Sequence, residues 1–361
     1  MADLLHSPLH ENHVALGARL GDFGGWEMPI HYAGVVDEHA SVRGHAGVFD
    51  VSHLGKAEVL GPGAAAFVDS VLTNDLSRIR PGQAQYTLAC DDATGGVVDD
   101  LIVYLRSEED VFLVPNAANT AGLLDRLRDA APSGVEVVNR HRELAVLAVQ
   151  GPSADGVLQV LGLPVGHDYM SFRAARWGGA AVTVCRTGYT GERGYELVAP
   201  WGSAGALWEA LLATEDAVRP CGLGARDTLR TEMGYPLHGQ DLSLSVTPLQ
   251  ARCGWAVGWD KPAFWGRDVL RAEREAGPQR LLRGLVALER GIPRPHMSVL
   301  SGGVVVGEVT SGTFSPTLKR GIGLALLERA VGEGDELTVD LRGRSSRFQV
   351  TRPPFVASHV R

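Results

Sequence analysis

Residues 95–104 read Gly-Gly-Val-Val-Asp-Asp-Leu-Ile-Val-Tyr, a β-forming stretch opened by a Gly-Gly turn signal and broken by two adjacent acids, Asp99 and Asp100. Side chains alternate between the two faces of a strand, so these carboxylates cannot share an environment. One of them points to a protein interior or a cleft, where a carboxylate is costly unless it is paired, hydrogen-bonded or neutralised. The plainer alternative is a strand beginning just after a turn, with both acids near water. The segment by itself leaves both readings open.

The length of 361 residues predicts two or three domains, and 45% hydrophobic with 21% charged residues is ordinary for a soluble globular protein. No apolar run approaches the ~18 residues that cross a bilayer. The first residues, Met-Ala-Asp-Leu-Leu-His-Ser-Pro, have neither a basic start nor an apolar core, so no secretory signal is expected. Cys90, Cys185, Cys221 and Cys253 are scattered without C-x-x-C spacing, which reads as reduced thiols in a cytoplasmic protein. A net charge of −8 argues against general nucleic-acid binding. The charge is uneven: residues 1–250 hold 17 Lys and Arg against 31 Asp and Glu, and residues 251–361 hold 17 against 11. A basic C-terminal module suits an acidic partner or an anionic ligand tail, although domains also vary by chance.

Two segments resemble each other. Ala57–Leu60 leads through Gly61-Pro62 into Gly63–Leu72, and Ala145–Val149 leads through Gly151-Pro152 into Ser153–Leu161. Both read as strand, Gly-Pro turn, helix. Either two α+β halves are related, or a common loop motif occurs twice. Further helices are expected over Asn119–Ala131 and Ser203–Thr214. After about residue 280 the texture changes. Short apolar runs (Leu285–Leu288, Val304–Val309, Ile322–Leu327, Leu337–Leu341, Phe348–Val350) alternate with Gly, Ser and charged turns, the pattern of a small all-β barrel or sandwich. The stretch Ala-Glu-Arg-Glu-Ala-Gly-Pro at 272–278 is the natural boundary, giving expected domains of 1–275 and 280–361.

Several chemistries find no support. His6, His10 and His13 fall at i, i+4, i+7, yet Pro8 interrupts a helix there and no acid or cysteine completes a ligand set along the chain, so solvated or capping histidines and no metal are expected. Gly222-Leu223-Gly224-Ala225-Arg226-Asp227 starts like a dinucleotide fingerprint, but Asp227 takes the third glycine's place. There is no phosphate-binding P-loop and no G-x-S-x-G elbow. What remains is Arg226 near the first turn of a helix, a plausible anchor for a carboxylate or a polarised ring. In Arg186–Leu197 three glycines in seven residues mark a loop where backbone approaches something closely. Glu196 then enters an apolar stretch, placed to take the amidine-like N–H/NH₂ edge of a pterin or guanine, or to sit exposed on an ordinary hairpin.

Taken together these segments resemble the aminomethyltransferase family, the T-protein of the glycine cleavage system. The matching pieces are Asp22–Pro29, Gly47–His53, Gly95–Tyr104, Asn116–Asn119, Arg186–Leu197, Gly222–Arg230, Leu237–Asp241 and Thr310–Leu318, in family order over nearly the whole chain. The resemblance implies an α+β, three-lobed cloverleaf: two intertwined α+β lobes carrying a folate site, and a C-terminal all-β barrel. It implies transfer of the methylene of an aminomethyl group, held on the lipoyl arm of H-protein, to tetrahydrofolate. The products are 5,10-methylenetetrahydrofolate, ammonia and dihydrolipoyl H-protein, with functional links to the P- and L-proteins and no metal or membrane involved.

By the same resemblance Asp100 is the critical aspartate. A carboxylate there can accept the proton of the attacking folate nitrogen and steady an iminium-like carbon. Glu196 holds the pterin edge, Arg226 lies near the pterin and keeps Asp100 ionised, Asn116 and Tyr86 contact folate, and Leu54 stands in the pocket wall where relatives often have Met. Pro115 replaces a usual Val, and the tail Phe355–Arg361 lacks a tyrosine that some relatives place against folate. Competing readings are a folate-dependent demethylase or other C1 transferase on the same scaffold, and a non-catalytic folate-binding accessory protein. The basic C-terminal module predicts that folate or H-protein binding weakens as salt rises; affinity measured unchanged from low to high salt would remove that expectation.

Overall fold

The structure, a computed structural model, describes residues 4–214, 218–341 and 343–361. Three bodies of sheet carry the chain. The first is a five-stranded antiparallel sheet in the order Gln83–Cys90, Val97–Ser107, Asp110–Val114, Ala57–Leu60, Glu136–Asn139. Helices Ala64–Val71 and Thr120–Ala130 cover one of its faces through a core that includes Phe67, Val68, Leu101, Val103, Leu123 and Leu127. The second is six-stranded, in the order Phe172–Trp177, Ala180–Cys185, Gly194–Pro200, Leu144–Gln150, Gly47–Asp50, Arg219–Pro220. Helices Ala154–Val160 and Ala204–Leu212 close its outer face. The free faces of the two sheets meet in a shared core that joins Ala84, Tyr104 and Phe112 to Val146, Ala148 and Val198.

The repeated strand–Gly-Pro–helix pieces belong to a larger correspondence. In each half a strand and helix lead into three antiparallel strands, the last of which returns to pair with the first, and a second helix and a short strand follow. The halves thus share one element order, which favours the duplication reading. The turn is built alike in both: Gly61 has φ +107° and Gly151 φ +135°, and a Cβ at either would press into a backbone carbonyl, that of Gly134 or of His45.

The C-terminal region is a closed six-stranded barrel, in the order Arg280–Ala287, Arg320–Glu328, Val304–Ser315, Ser298–Ser301, Glu336–Asp340, Ser345–Thr351. The three-lobed α+β arrangement with a closing barrel is the one expected. Ser298–Ser301 escapes sequence reading because four residues with serine at each end give too short an apolar signal. A small sheet at the N-terminal end, Leu5–His6 with Trp26–His31 and Arg19–Phe23, adds to the scaffold. Among the described residues no helix is long and apolar enough to cross a membrane.

The histidine expectation needs correcting. His13 is fully buried, because its Nε2 meets Asp50 Oδ2 at 2.9 Å and its Nδ1 meets the Tyr32 hydroxyl at 2.9 Å. His6 and His10 stack in parallel 3.8 Å apart, and Glu27 Oε2 lies 3.4 and 3.6 Å from them. Glu27 arrives through strand register, paired with His6, which spacing along the chain cannot reveal.

Helix Leu223–Met233 joins the bodies. Gly222 and Gly224 bring its start against the strand Trp26–His31, where a Cβ at either would collide with Ile30 or Val35. The glycines serve backbone packing, in place of the phosphate cradle that their spacing resembles. Further along the helix, Arg230 donates to Asp241 Oδ2 and to Ser311 Oγ, both at 2.8 Å, and pairs with Asp227. Glu232 accepts from Arg43 at 2.7 Å, from Ser315 at 2.5 Å and from Thr317 at 3.0 Å. Removing one member of a buried ion pair leaves the other uncompensated, so Arg230→Met should cost about 3–5 kcal/mol. Denaturant unfolding monitored by fluorescence checks this, and a loss under about 1 kcal/mol contradicts the role given to the pair.

Candidate active site

A cavity of about 690 Å³ opens between the facing sheets and is completed by barrel and tail residues, among them Leu282, Leu324, Arg352 and Pro353. Tyr86, Asp100, Asn116, Leu54, Glu196 and Arg226 all line it. Strand Val97–Ser107 supplies its reactive floor. Asp99, Leu101 and Val103 turn to the helix-covered side and are buried, whereas Asp100 and Ile102 turn to the opposite face and are partly exposed. The adjacent acids therefore live apart: Asp99 is sealed from solvent and Asp100 stands in the cavity wall.

Each acid has built partners. Tyr86, on the neighbouring strand, donates its hydroxyl to Asp100 Oδ2 at 3.0 Å. Asn116, which follows the strand Asp110–Val114, donates Nδ2 to Asp100 Oδ1 at 2.9 Å and to Asp99 Oδ1 at 2.8 Å. Burial raises the Asp100 carboxyl above its ordinary range, against Tyr86, His238 and Asn116, which favour the ionised form. Burial and the neighbouring Asp100 charge push Asp99 up to about 8, with Asn119 and Asn116 opposing.

Across the cavity, Glu196 on strand Gly194–Pro200 is buried and accepts from Thr187 Oγ1 at 2.5 Å. The Thr187 hydroxyl in turn meets Tyr104 Oη at 3.1 Å, so a residue from the first sheet helps to set an acid on the second. Arg226 lies over the Tyr189 ring at 4.8 Å, and its Nη1 is buried without a hydrogen-bond partner. Burial depresses the Arg226 guanidinium, while Glu196 and Tyr189 support its charge. No ion pair joins Arg226 to Asp100 among the described residues. The expectation that this arginine keeps Asp100 ionised is replaced by hydrogen bonds from Tyr86 and Asn116, and the carboxylate whose charge supports Arg226 is Glu196.

Sequence reading missed several contributors. Trp255, 65% exposed, stacks on Tyr86 with ring centres 5.4 Å apart. Asn119 and His238 stand behind Asp99, and Tyr104 with Thr187 stands behind Glu196. Asn119 and His238 lie in the motifs Asn116–Asn119 and Leu237–Asp241, but only the fold brings them together. The tail lacks a tyrosine and is tied to the loop beside the site: Arg186 Nη2 donates to the Val360 carbonyl at 2.7 Å, and His359 N donates to the Gly191 carbonyl at 2.7 Å.

His53 and Leu54 form the wall nearest Phe23, whose ring meets His53 edge-on at 5.2 Å. Burial and the Arg226 charge push His53 down to about 3, so it stays neutral. Lys56 staples this wall from behind, donating to the carbonyls of Ser52 and Leu54 at 2.7 and 2.8 Å.

Burial brings Lys56 down to about 7, far below its value in an unfolded chain. Between those values the unfolded chain holds a proton that the folded one releases, so this group makes stability rise with pH. The stability of the wild type relative to Lys56→Met should climb between pH 7 and 9 by up to about 1.4 kcal/mol per pH unit. A difference flat across that range in urea titrations would contradict it.

Comparison with known proteins gives a consistent picture. Residues 9–261 match the family description "GCVT N-terminal domain" and residues 280–357 match "Glycine cleavage T-protein C-terminal barrel domain". The chain is 65% identical to an aminomethyltransferase of Parafrankia sp., with all of both chains covered. It is 59% identical to one of Mycobacterium tuberculosis, covering 99% of each. Its fold matches the crystal structure of the glycine cleavage system aminomethyltransferase T from Bartonella henselae with a TM-score of 0.93 at 35% identity, over 99% of both chains.

Proposed function

Since the chain belongs to the glycine cleavage T-protein family and is an aminomethyltransferase of that system, we propose that it moves the methylene of an aminomethyl group from the lipoyl arm of H-protein to tetrahydrofolate in this cavity. The observation that carries the reading is one cavity in which Asp100, oriented by Tyr86 and Asn116, shares a wall with Glu196 and an unpartnered Arg226 guanidinium.

The donor set fits a reduced pterin. Glu196 offers a carboxylate, braced by Thr187, to the N–H and NH₂ groups of the ring edge. Arg226 has a spare buried donor for a ring acceptor. The aromatic faces of Tyr86, Tyr189 and Trp255 suit a flat ring and its aryl extension. Leu54 contributes apolar wall.

In this reading Asp100 takes the hydrogen of the attacking folate nitrogen and steadies the positive charge that develops on the transferred carbon. Two carbon–nitrogen bonds to folate form, and the carbon's bonds to sulfur and to the amino nitrogen break. The two hydrogens that leave folate end on sulfur and on ammonia, so the transfer balances without an oxidant or reductant. Four free, buried cysteines accord with a cytoplasmic enzyme, and loading of H-protein with glycine carbon would fall to the partner P-protein.

Purified enzyme given tetrahydrofolate and aminomethyl-loaded H-protein should release methylenetetrahydrofolate and ammonia together. No product from wild type would overturn the proposal. Asp100→Asn should lower kcat on the order of 10²–10⁴-fold, the usual contribution of a positioned acid–base group, and undiminished turnover would overturn the role of Asp100. The Tyr86 hydroxyl holds the Asp100 carboxyl down. In Tyr86→Phe that carboxyl rises further, so the acid limb of kcat/KM should move to higher pH.

A further inference from the structure

Behind Asp100 lies a closed hydrogen-bonded shell. Asp99 Oδ1 accepts from Asn119 Nδ2 at 2.7 Å and from Asn116 Nδ2 at 2.8 Å, and its Oδ2 accepts from the Asn116 backbone N–H at 3.1 Å. The same Asn116 amide donates to Asp100 Oδ1 and to the Asp100 carbonyl, both at 2.9 Å. One NH₂ group thus serves three acceptors with two hydrogens and is shared between the neighbouring acids. Asn119 also meets His238 Nδ1 at 3.0 Å, and His238 Nε2 meets the Val97 carbonyl at 3.1 Å. That carbonyl can only accept, so Nε2 carries a hydrogen. The chain of bonds leaves strand Val97–Ser107 at Val97, passes through His238, Asn119, Asp99 and Asn116, and returns to the strand at Asp100.

We propose that Asp99 is a positioning residue for the transfer reaction, fixing Asp100 through the Asn116 amide that both acids share, with Asn119 and His238 as its backing. This rests on Asp100 being the reacting carboxylate. Asp99 is sealed from solvent, so it reaches no substrate. Without it, the Asn116 amide keeps only its two acceptors on Asp100, while the Asn116 backbone N–H and the Asn119 amide lose theirs, so the loop that carries Asn116 is no longer pinned in register with Asp100. A side chain held from behind in this way presents one rotamer to the cavity, as orientation-dependent catalysis requires. The pair also shares charge: burial, and after it the neighbouring Asp100 charge, raises the Asp99 carboxyl to about 8. Tyr86, Tyr189, His238 and Cys253 are the other titratable groups interacting with Asp100, and all are retained in the Asp99 variants.

The test uses the full chain with tetrahydrofolate and aminomethyl-loaded H-protein. Asp99→Ala should lower kcat on the order of 10–100-fold, the loss typical of removing an orienting partner, with the folate KM within about twofold. Asp99→Asn keeps an oxygen for Asn116 and Asn119, so it should recover most of that loss, and it should lack any alkaline change in kcat due to Asp99. If Asp99→Ala does not fold, Asn119→Ala carries the test, with a smaller fall in kcat and an unchanged KM. Wild-type kcat in folded Asp99→Ala or Asn119→Ala, a loss confined to KM, or equal losses in Asp99→Ala and Asp99→Asn would each overturn the proposal. Full activity in Asp100→Asn would instead overturn the reading on which it rests.

Discussion

The polar joint on helix Leu223–Met233 is the constraint on which the rest of the molecule depends. Arg230 and Glu232 are taken out of water and satisfied by groups from a loop, another helix and the barrel. Buried charges demand their partners at fixed distances, since a misplaced partner leaves desolvation uncompensated. A single turn of one helix therefore sets how the barrel sits against the paired sheets. Arg226 stands one turn before Arg230, so the contacts that seat the barrel also aim a guanidinium into the cavity.

The cavity is assembled from opposing faces that no single lobe owns. The first sheet provides Tyr86 and Asp100, the second Glu196, the joining helix Arg226, and the loop after the first meander Asn116. Every polar side chain with a proposed role, Arg226 apart, has its orientation set by a hydrogen bond. Arg226 keeps a donor unpartnered inside the wall, which is where a ligand's acceptor would gain most.

Much of this was legible in the chain. Alternation alone required the adjacent aspartates to part company, and the short apolar runs after residue 280 announced a small all-β barrel or sandwich. Helix periodicity found Thr120–Ala130 and Ala204–Leu212 to within two residues at either end. The failures share a physical cause: they concern contacts between segments far apart in sequence. Nothing near Asp99 in the chain foretells that Asn119 and His238 will stand behind it. Arg226 makes no ion pair with Asp100 among the described residues because sheet packing, which has no local signal, decides what each side of the cavity sees. The polar Thr310–Thr317 run looks like an unpromising barrel strand until its hydroxyls are seen to satisfy Arg230, Asp241 and Glu232.

The cavity is walled by both sheets, by the barrel and by the tail, and this has a thermodynamic consequence. A ligand filling such a space binds only while all of its walls are in place, so its binding free energy is withdrawn if any one of them opens. Lobes that could otherwise loosen separately are then tied into one cooperative unit. Occupancy of the cavity becomes a measure of how far the molecule behaves as a single body.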